Sequence, residues 1–490
     1  MSGLDRASPS LTDFRRSSLG GLTEARRRSL TLILCCLAQF MVVLDVSIVN
    51  VALPSISADL DFEPASLAWV VNAYTLAFAG FLLLGGRAAD LLGRREVFAG
   101  GLALFALASL AGGLAQSELT LVAARAAQGL GGAVVAPATL SILTTGFPEG
   151  HERNRALGYW GAMGAVGGAS GALLGGVLTE ALNWRWILII NVPIGLFGAL
   201  AALRVVRAGR RDEGATRRFD LAGALTVTTG LVVVTYGIVQ TDDYGWGSER
   251  TLLTLAAGAA LLAVFLLVEG RLAARPLVPL RIFASRALTG ANVVVFCLGG
   301  SVFAMWYFVS LYLQQVLGYS PIEAGVAFLP MPLTIAAVTQ AATRLTSRKG
   351  PGPVLATGMA LIGAGMLLFA RVPPDGAYAA DVLAPALLCS AGIGFSFVPV
   401  TIAATTGVAR TEAGLASGLV NTSRQMGGSL GLALLATVAT QRTTGVAGDV
   451  SQLEALTEGF QRAFALGAAI ALCGALVSAL VLRAAAPRRA

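Results

Sequence analysis

Fourteen apolar runs organise the chain, at about 30–51, 65–84, 97–116, 119–146, 156–179, 186–204, 220–240, 251–269, 287–316, 321–343, 353–370, 381–408, 414–440 and 460–483. A hydrocarbon layer about 30 Å thick takes roughly 20 helical residues at 1.5 Å each, so every run can cross it. None shows the alternation of a barrel strand, and only helices or closed barrels satisfy all backbone groups in lipid. The expected class is an all-α polytopic membrane protein. Composition agrees: 56% of residues are hydrophobic and 13% charged, where a soluble chain carries about 25% charged. Too little polar side chain exists to cover a water-facing globule, which excludes a soluble enzyme or regulator. Disorder is excluded too, since disordered chains are polar and highly charged.

Charge placement orients the runs. Of the 35 Lys and Arg residues, 28 fall in one alternating set of gaps and tails and five in the other. Basic residues stay on the cytoplasmic side, so both termini are expected there, and a miscounted crossing would scramble the asymmetry downstream. The net charge of +8 thus reflects topology and not nucleic-acid binding. Lys349 is the single lysine. The five cysteines all lie inside apolar runs and read as packing residues, and the one histidine, His151, sits in a loop, so no metal site is expected.

The runs fall into two six-crossing sets. We expect a cytoplasmic tail at 1–29, an N-terminal bundle at 30–205, and a linker with two extra crossings at 206–286. A C-terminal bundle at 287–484 and a short tail at 485–490 complete the chain. Paired bundles of this kind point to a transporter whose site lies at their interface.

Ionisable residues inside a membrane are costly and are the first functional candidates. Three lie well inside a crossing: Asp45, Arg125 and Arg424. Asp45 is about 22 Å into crossing 1 and Arg125 about 9 Å from the outer end of crossing 4, so the two can meet at one depth. A proton-coupling carboxylate tuned by an arginine is one reading; a static ion pair between helices is the other. Gln128 shares a helix face with Arg125, and Asn421, Arg424 and Gln425 share a face of crossing 13. With Trp306 and Tyr307 of crossing 9 they form the candidate substrate set, and the cation at 424 hints at neutral or anionic ligands. Crossing 5 carries Gly164, Gly168, Ala172 and Gly176 at four-residue spacing, which lets two backbones approach. The turn after crossing 2, GGRAADLLGRR (85–95), combines Gly86, Asp90, Gly93 and Arg94 as a candidate latch. TRLTSRKGPGP (343–353) echoes it weakly, with Ser347 in the position of Asp90.

These segments together resemble the fourteen-helix drug:proton antiporters of the major facilitator superfamily, the Qac/Emr-type multidrug exporters. LDVSIVNVALP (44–54) is similar to the family's helix-1 signature, and GGRAADLLGRREV (85–97) to the superfamily loop motif. RAAQGLGGAVVAPA (125–138) resembles the helix-4 motif, whose arginine the resemblance implicates in proton coupling. The glycines Gly167, Gly171, Gly175 and Gly176 correspond to the antiporter helix-5 motif, and NWRWILIINVPIG (183–195) to the segment after it. GLASGLVNTSRQMGGSLGLA (414–433) resembles the helix-13 segment. Three departures stand out: Ala172 replaces the usual motif proline, Leu91 a basic residue, and Ala88 a leucine.

The resemblance implies a proton-driven exporter of hydrophobic or amphipathic small molecules such as drugs, antibiotics or dyes. It would reside in a bacterial plasma membrane, use the proton gradient with no cofactor, and work as a monomer. No phosphate-binding GxxxxGK[ST] loop occurs, so ATP is not expected as a partner. A proton-coupled metabolite transporter is the alternative. A membrane-embedded lipid enzyme would want paired carboxylates or a histidine at one depth, which the crossings lack.

Overall fold

The computed structural model describes residues 24–64, 66–148, 150–207, 220–273, 276–408 and 412–482, with the side chains of Asp90, Asn154, Ala165, Asp242, Asp243 and Ala413 also outside the description. The tails 1–23 and 483–490 and the Arg-rich stretch 208–219 therefore lie outside the described residues.

Among the described residues fourteen long helices form the body. The first six are α1 (Glu24–Leu60), α2 (Trp69–Leu92), α3 (Arg94–Gly113), α4 (Glu118–Gly146), α5 (His151–Ala181) and α6 (Trp186–Val205). Two more follow, α7 (Leu221–Val239) and α8 (Glu249–Leu272). The last six are α9 (Arg286–Val316), α10 (Pro321–Lys349), α11 (Pro351–Phe369), α12 (Tyr378–Thr405), α13 (Ala413–Val446) and α14 (Gln452–Leu482). Thirteen are long and apolar enough to cross a membrane. The other, α13, is long enough, but Asn421, Arg424, Gln425, Gln441 and Arg442 lower its hydropathy. The chain is a multi-pass membrane protein.

Helix lengths exceed the apolar runs at several ends. α1 begins at Glu24 and α14 at Gln452, because polar helical turns project past the apolar segment. The start of α14 is fixed by a capping box in which the Ser451 hydroxyl accepts from the Glu454 N–H and Glu454 reaches back to the Ser451 N–H. Within α10 the helix breaks between Phe328 and Pro330, since proline removes an N–H and its ring crowds the preceding turn. Exposed Lys349 closes α10, and Gly350, at φ 82°, turns the chain into α11.

Packing sorts the helices. α1 packs on α5, α2 on α4, and α3 on α4 and α6; in the second set α9 packs on α13 and α14, α11 on α12 and α14, and α10 on α12. The α7–α8 hairpin leans on α2 and α13 through α7, and its connecting segment meets α13 where the Gln441 amide donates to the Thr241 carbonyl at 3.0 Å. We call the end where α1 begins proximal and the other distal. Near the distal end the sets touch through three pairs. The Ser310 hydroxyl and Gln314 amide of α9 donate to the Asn50 and Val51 carbonyls of α1 at 2.7 and 3.0 Å. Thr75 of α2 and Ser429 of α13 share a hydroxyl hydrogen bond. Gly176 of α5 lies against the Pro321 carbonyl of α10, and Gly325 against that of Ala172, so closely that a Cβ on either glycine would clash.

That contact revises the expected stripe on α5. The face against α1 is made by Gly164, Gly167, Gly168, Gly171 and Gly175, whereas Ala172 and Gly176 meet α10. Strict four-residue spacing drifts about 40° per step around a 3.6-residue helix, so one row serves two partners.

Candidate functional site

The centre of the first bundle is a closed polar network. Asp45 is wholly buried on α1. Its Oδ2 accepts from an Arg125 guanidinium nitrogen at 2.5 Å, and its Oδ1 accepts from Gln128 Nε2 at 2.5 Å and Asn191 Nδ2 at 3.0 Å. Arg125 also donates through Nε to the Val70 carbonyl at 2.9 Å and to Gln128 Oε1 at 2.7 Å. Gln128 Nε2 reaches Ser109 Oγ at 2.6 Å. The guanidinium lies 4.6 Å from the centre of the Tyr74 ring, a cation–π contact that covers its open face.

Local sequence explains the assembly. Arg125 and Gln128 are one helical turn apart on α4, so both meet the same point of α1. α2 approaches α4 closely because Gly129 lies against the Tyr74 backbone carbonyl. That approach brings the Val70 carbonyl within reach of Arg125. Asp45 and Arg125, expected at one depth, are joined directly. Gln128, counted among substrate candidates, has its amide fully engaged in this network. Asn191 and Ser109 went unnoticed in the sequence; an amide inside the apolar stretch WILIINVPIG was the available signal.

The second bundle is different. Arg424 of α13 is half-buried, donates to Asn421 Oδ1 at 2.8 Å, and lies 5.9 Å from the Phe397 ring of α12. Among the described residues it has no ion-pair partner. Gln425 is buried beside it in sequence. Trp306 and Tyr307 do not join this group: Trp306 stacks on Phe328 of α10 at 5.2 Å, and Tyr307 packs edge-on against Phe308. Consecutive residues point about 100° apart on a helix, so the two rings meet different neighbours. Tyr307 instead lines a distal cavity of about 500 Å³ with Ser57, Leu67, Gln315 and Thr443, between the two bundles.

At the proximal end, only Gly93 of the candidate latch forms the turn. It sits at φ 107° between α2 and α3, a conformation that favours glycine. Gly86 lies inside α2, in ordinary contact with Pro137, and it is Gly85 whose missing Cβ admits the Ala133 carbonyl of α4. Arg94 donates to Thr145 Oγ1 at 2.9 Å. The Asp90 side chain falls outside the described residues.

The Major Facilitator Superfamily model matches residues 35–432. The chain belongs to that superfamily. It is 46% identical to the cephamycin export protein CmcT of Amycolatopsis lactamdurans, over 89% of this chain and 90% of that one. Identity is 41% to the puromycin resistance protein pur8 of Streptomyces alboniger, over 93% and 90% of the two chains. Among solved structures, a peptide transporter POT in complex with sulfate superposes with a TM-score of 0.68 at 14% identity, covering 95% of this chain and 99% of that one. At that identity the likeness concerns the fold. This superfamily member is a transporter and not an enzyme.

Proposed function

We propose that the chain exports antibiotic-like small molecules across a bacterial plasma membrane, driven by inward proton flow, as a monomer with both termini cytoplasmic. The observation that carries the export reading is the match along nine-tenths of both chains to a protein named for cephamycin export. The 28-to-5 partition of basic residues supports the orientation.

Proton coupling is assigned to Asp45 and Arg125. A proton arriving on Oδ2 takes the lone pair that Arg125 occupies, so protonation and the ion pair compete for one atom. Loss of that contact leaves Arg125 held by the Val70 carbonyl and Gln128, and a loaded state thereby differs from an empty one in how α1 meets α4. The closed packing means the exchange requires the bundles to part, which links proton access to the transport cycle. Substrate is assigned to the space between the bundles, with Arg424, Asn421 and Gln425 on one wall and Trp306 and Tyr307 farther toward the distal end. Gly93 and Arg94, with Gly86 and Asp90, act at the proximal end as a latch.

Inverted membrane vesicles test the proposal. Cephamycin or puromycin should accumulate when a pH gradient is imposed and leak when a protonophore collapses it. Accumulation indifferent to the gradient would defeat proton coupling, and uptake in right-side-out vesicles alone would favour a metabolite importer. Cysteines introduced at Ser248 and Thr443 should react with an impermeant reagent outside whole cells, and one at Ser347 should not; the reverse pattern would invert the topology.

A further inference from the structure

The proximal end of the N-terminal bundle holds a cavity of about 570 Å³ bounded by α1, α3, α4 and the exit of α6. Its lining brings five guanidinium groups, Arg27, Arg28, Arg94, Arg153 and Arg207, against one carboxylate, Glu24. Glu24 is shared between Arg28, at 3.4 Å, and Arg207, and Arg28 also lies 3.7 Å from the Glu152 carboxylate just outside the lining. Arg153 is tied to the Phe147 carbonyl that ends α4, at 3.2 Å. Arg27 is different: among the described residues its side chain has no hydrogen-bond or ion-pair partner, and its Nε is shut off from solvent without an acceptor. The lining also includes apolar Ile142, Phe147, Pro148 and Val206.

We propose that this cavity binds the phosphate headgroup of an anionic phospholipid from the adjoining leaflet. Guanidinium groups match phosphate oxygens in pairs of parallel hydrogen bonds, and the cavity presents several of them with a surplus of positive charge. Its position at the ends of membrane-crossing helices is where a headgroup lies, and basic pockets between such helices suit acidic lipids. The apolar part of the lining gives the first acyl methylenes a surface, which a free phosphate ion would leave unused. The site is separate from the Asp45 network and from the wall that carries Arg424. Because Arg94 lines it, a seated headgroup adjoins the turn at Gly93.

Native mass spectrometry of the full chain in detergent tests this, with dioleoylphosphatidylglycerol, dioleoylphosphatidylcholine and inorganic phosphate as probes. Phosphatidylglycerol should bind in preference to phosphatidylcholine. Arg27→Gln should weaken it about fivefold, and Arg27→Gln with Arg207→Gln about 25-fold, near 1 kcal/mol per arginine. Arg27→Lys should keep most of the binding, and Arg348→Gln, an exposed change on α10, should leave it unaltered. Equal binding of the two lipids by the wild-type chain would overturn the proposal whatever the variants do. So would equal losses in Arg348→Gln and Arg27→Gln, or displacement of phosphatidylglycerol by millimolar phosphate, which would make the site one for a soluble anion.

Discussion

The two bundles share an outline and differ at their centres. In the first, Asp45, Arg125, Gln128, Asn191 and Ser109 are hydrogen-bonded to one another in a buried knot. In the second, Arg424 meets Asn421 and the Phe397 ring and has no ion-pair partner among the described residues. A buried ion pair is poor evidence for stability, since desolvation offsets much of its attraction. Its presence in one bundle among the described residues accords with the titrating role proposed for it, and the Arg424 cation with the ligand role proposed there. The proximal turns repeat the contrast: Gly93 and Gly350 both adopt positive φ, at 107° and 82°, yet the first follows Asp90 and the second Ser347.

The largest expected effect tests this division of labour. Asp45→Asn keeps the shape but turns an amide toward Arg125, which imitates the protonated acid permanently. Gradient-driven efflux should fall to the level of vesicles lacking the protein, while passive substrate exchange continues. The same assay on Arg424→Gln should show driven transport preserved. Wild-type pumping by Asp45→Asn would make the knot structural and erase the comparison.

Stability separates the bundles next. Arg125→Ala leaves a carboxylate buried without its cation, and losing one partner of such a pair costs roughly 3–5 kcal/mol. Arg125→Lys should fall between, because lysine keeps the charge and loses the planar fork that also reaches Val70. Arg424→Ala removes a single side-chain bond and should cost about 1 kcal/mol. Thermal unfolding in detergent would measure all three, and equal losses at positions 125 and 424 would contradict the distinction.

Affinity comes third. Arg424→Ala should raise the KM for an anionic substrate about tenfold, the scale of one hydrogen bond to a charged group, and that for a cationic dye little. Identical KM changes for both would remove the case for an anion-facing wall. The smallest effect is at the turns. Asp90→Asn should slow turnover a few-fold with substrate binding nearly unchanged, and Ser347→Ala should do neither. If both slow the cycle alike, the two turns are functionally equivalent.

Much of this was legible in the sequence, for identifiable reasons. Apolar runs and basic gaps carry a signal that lipid enforces on every crossing, so the fourteen helices could be counted. α13 was countable despite its polar residues because the basic gaps still alternate around it. Asp45 and Arg125 could be paired by rise per residue alone, because charges in an apolar run are few. Asn191 could not, since a lone amide in such a run does not announce which helix it faces. Trp306 and Tyr307 share chemical type, but the sequence does not show that their rings meet Phe328 and Phe308 respectively. The α5 glycines identified close packing but not its partners, which only the path of α1 and the break in α10 decide.

Lys349 has a practical consequence. It is the single lysine of the chain, exposed where α10 ends. An endoprotease specific for lysine should therefore nick the folded protein at one bond, dividing α1–α10 from α11–α14. The cut falls inside the second bundle and not between the two, so the pieces remain clasped through α9 with α13 and α10 with α12. Proteolysis would open the backbone without releasing a domain. Such a nicked but assembled protein would reveal how far the covalent α10–α11 link itself, as distinct from helix packing, governs the cycle.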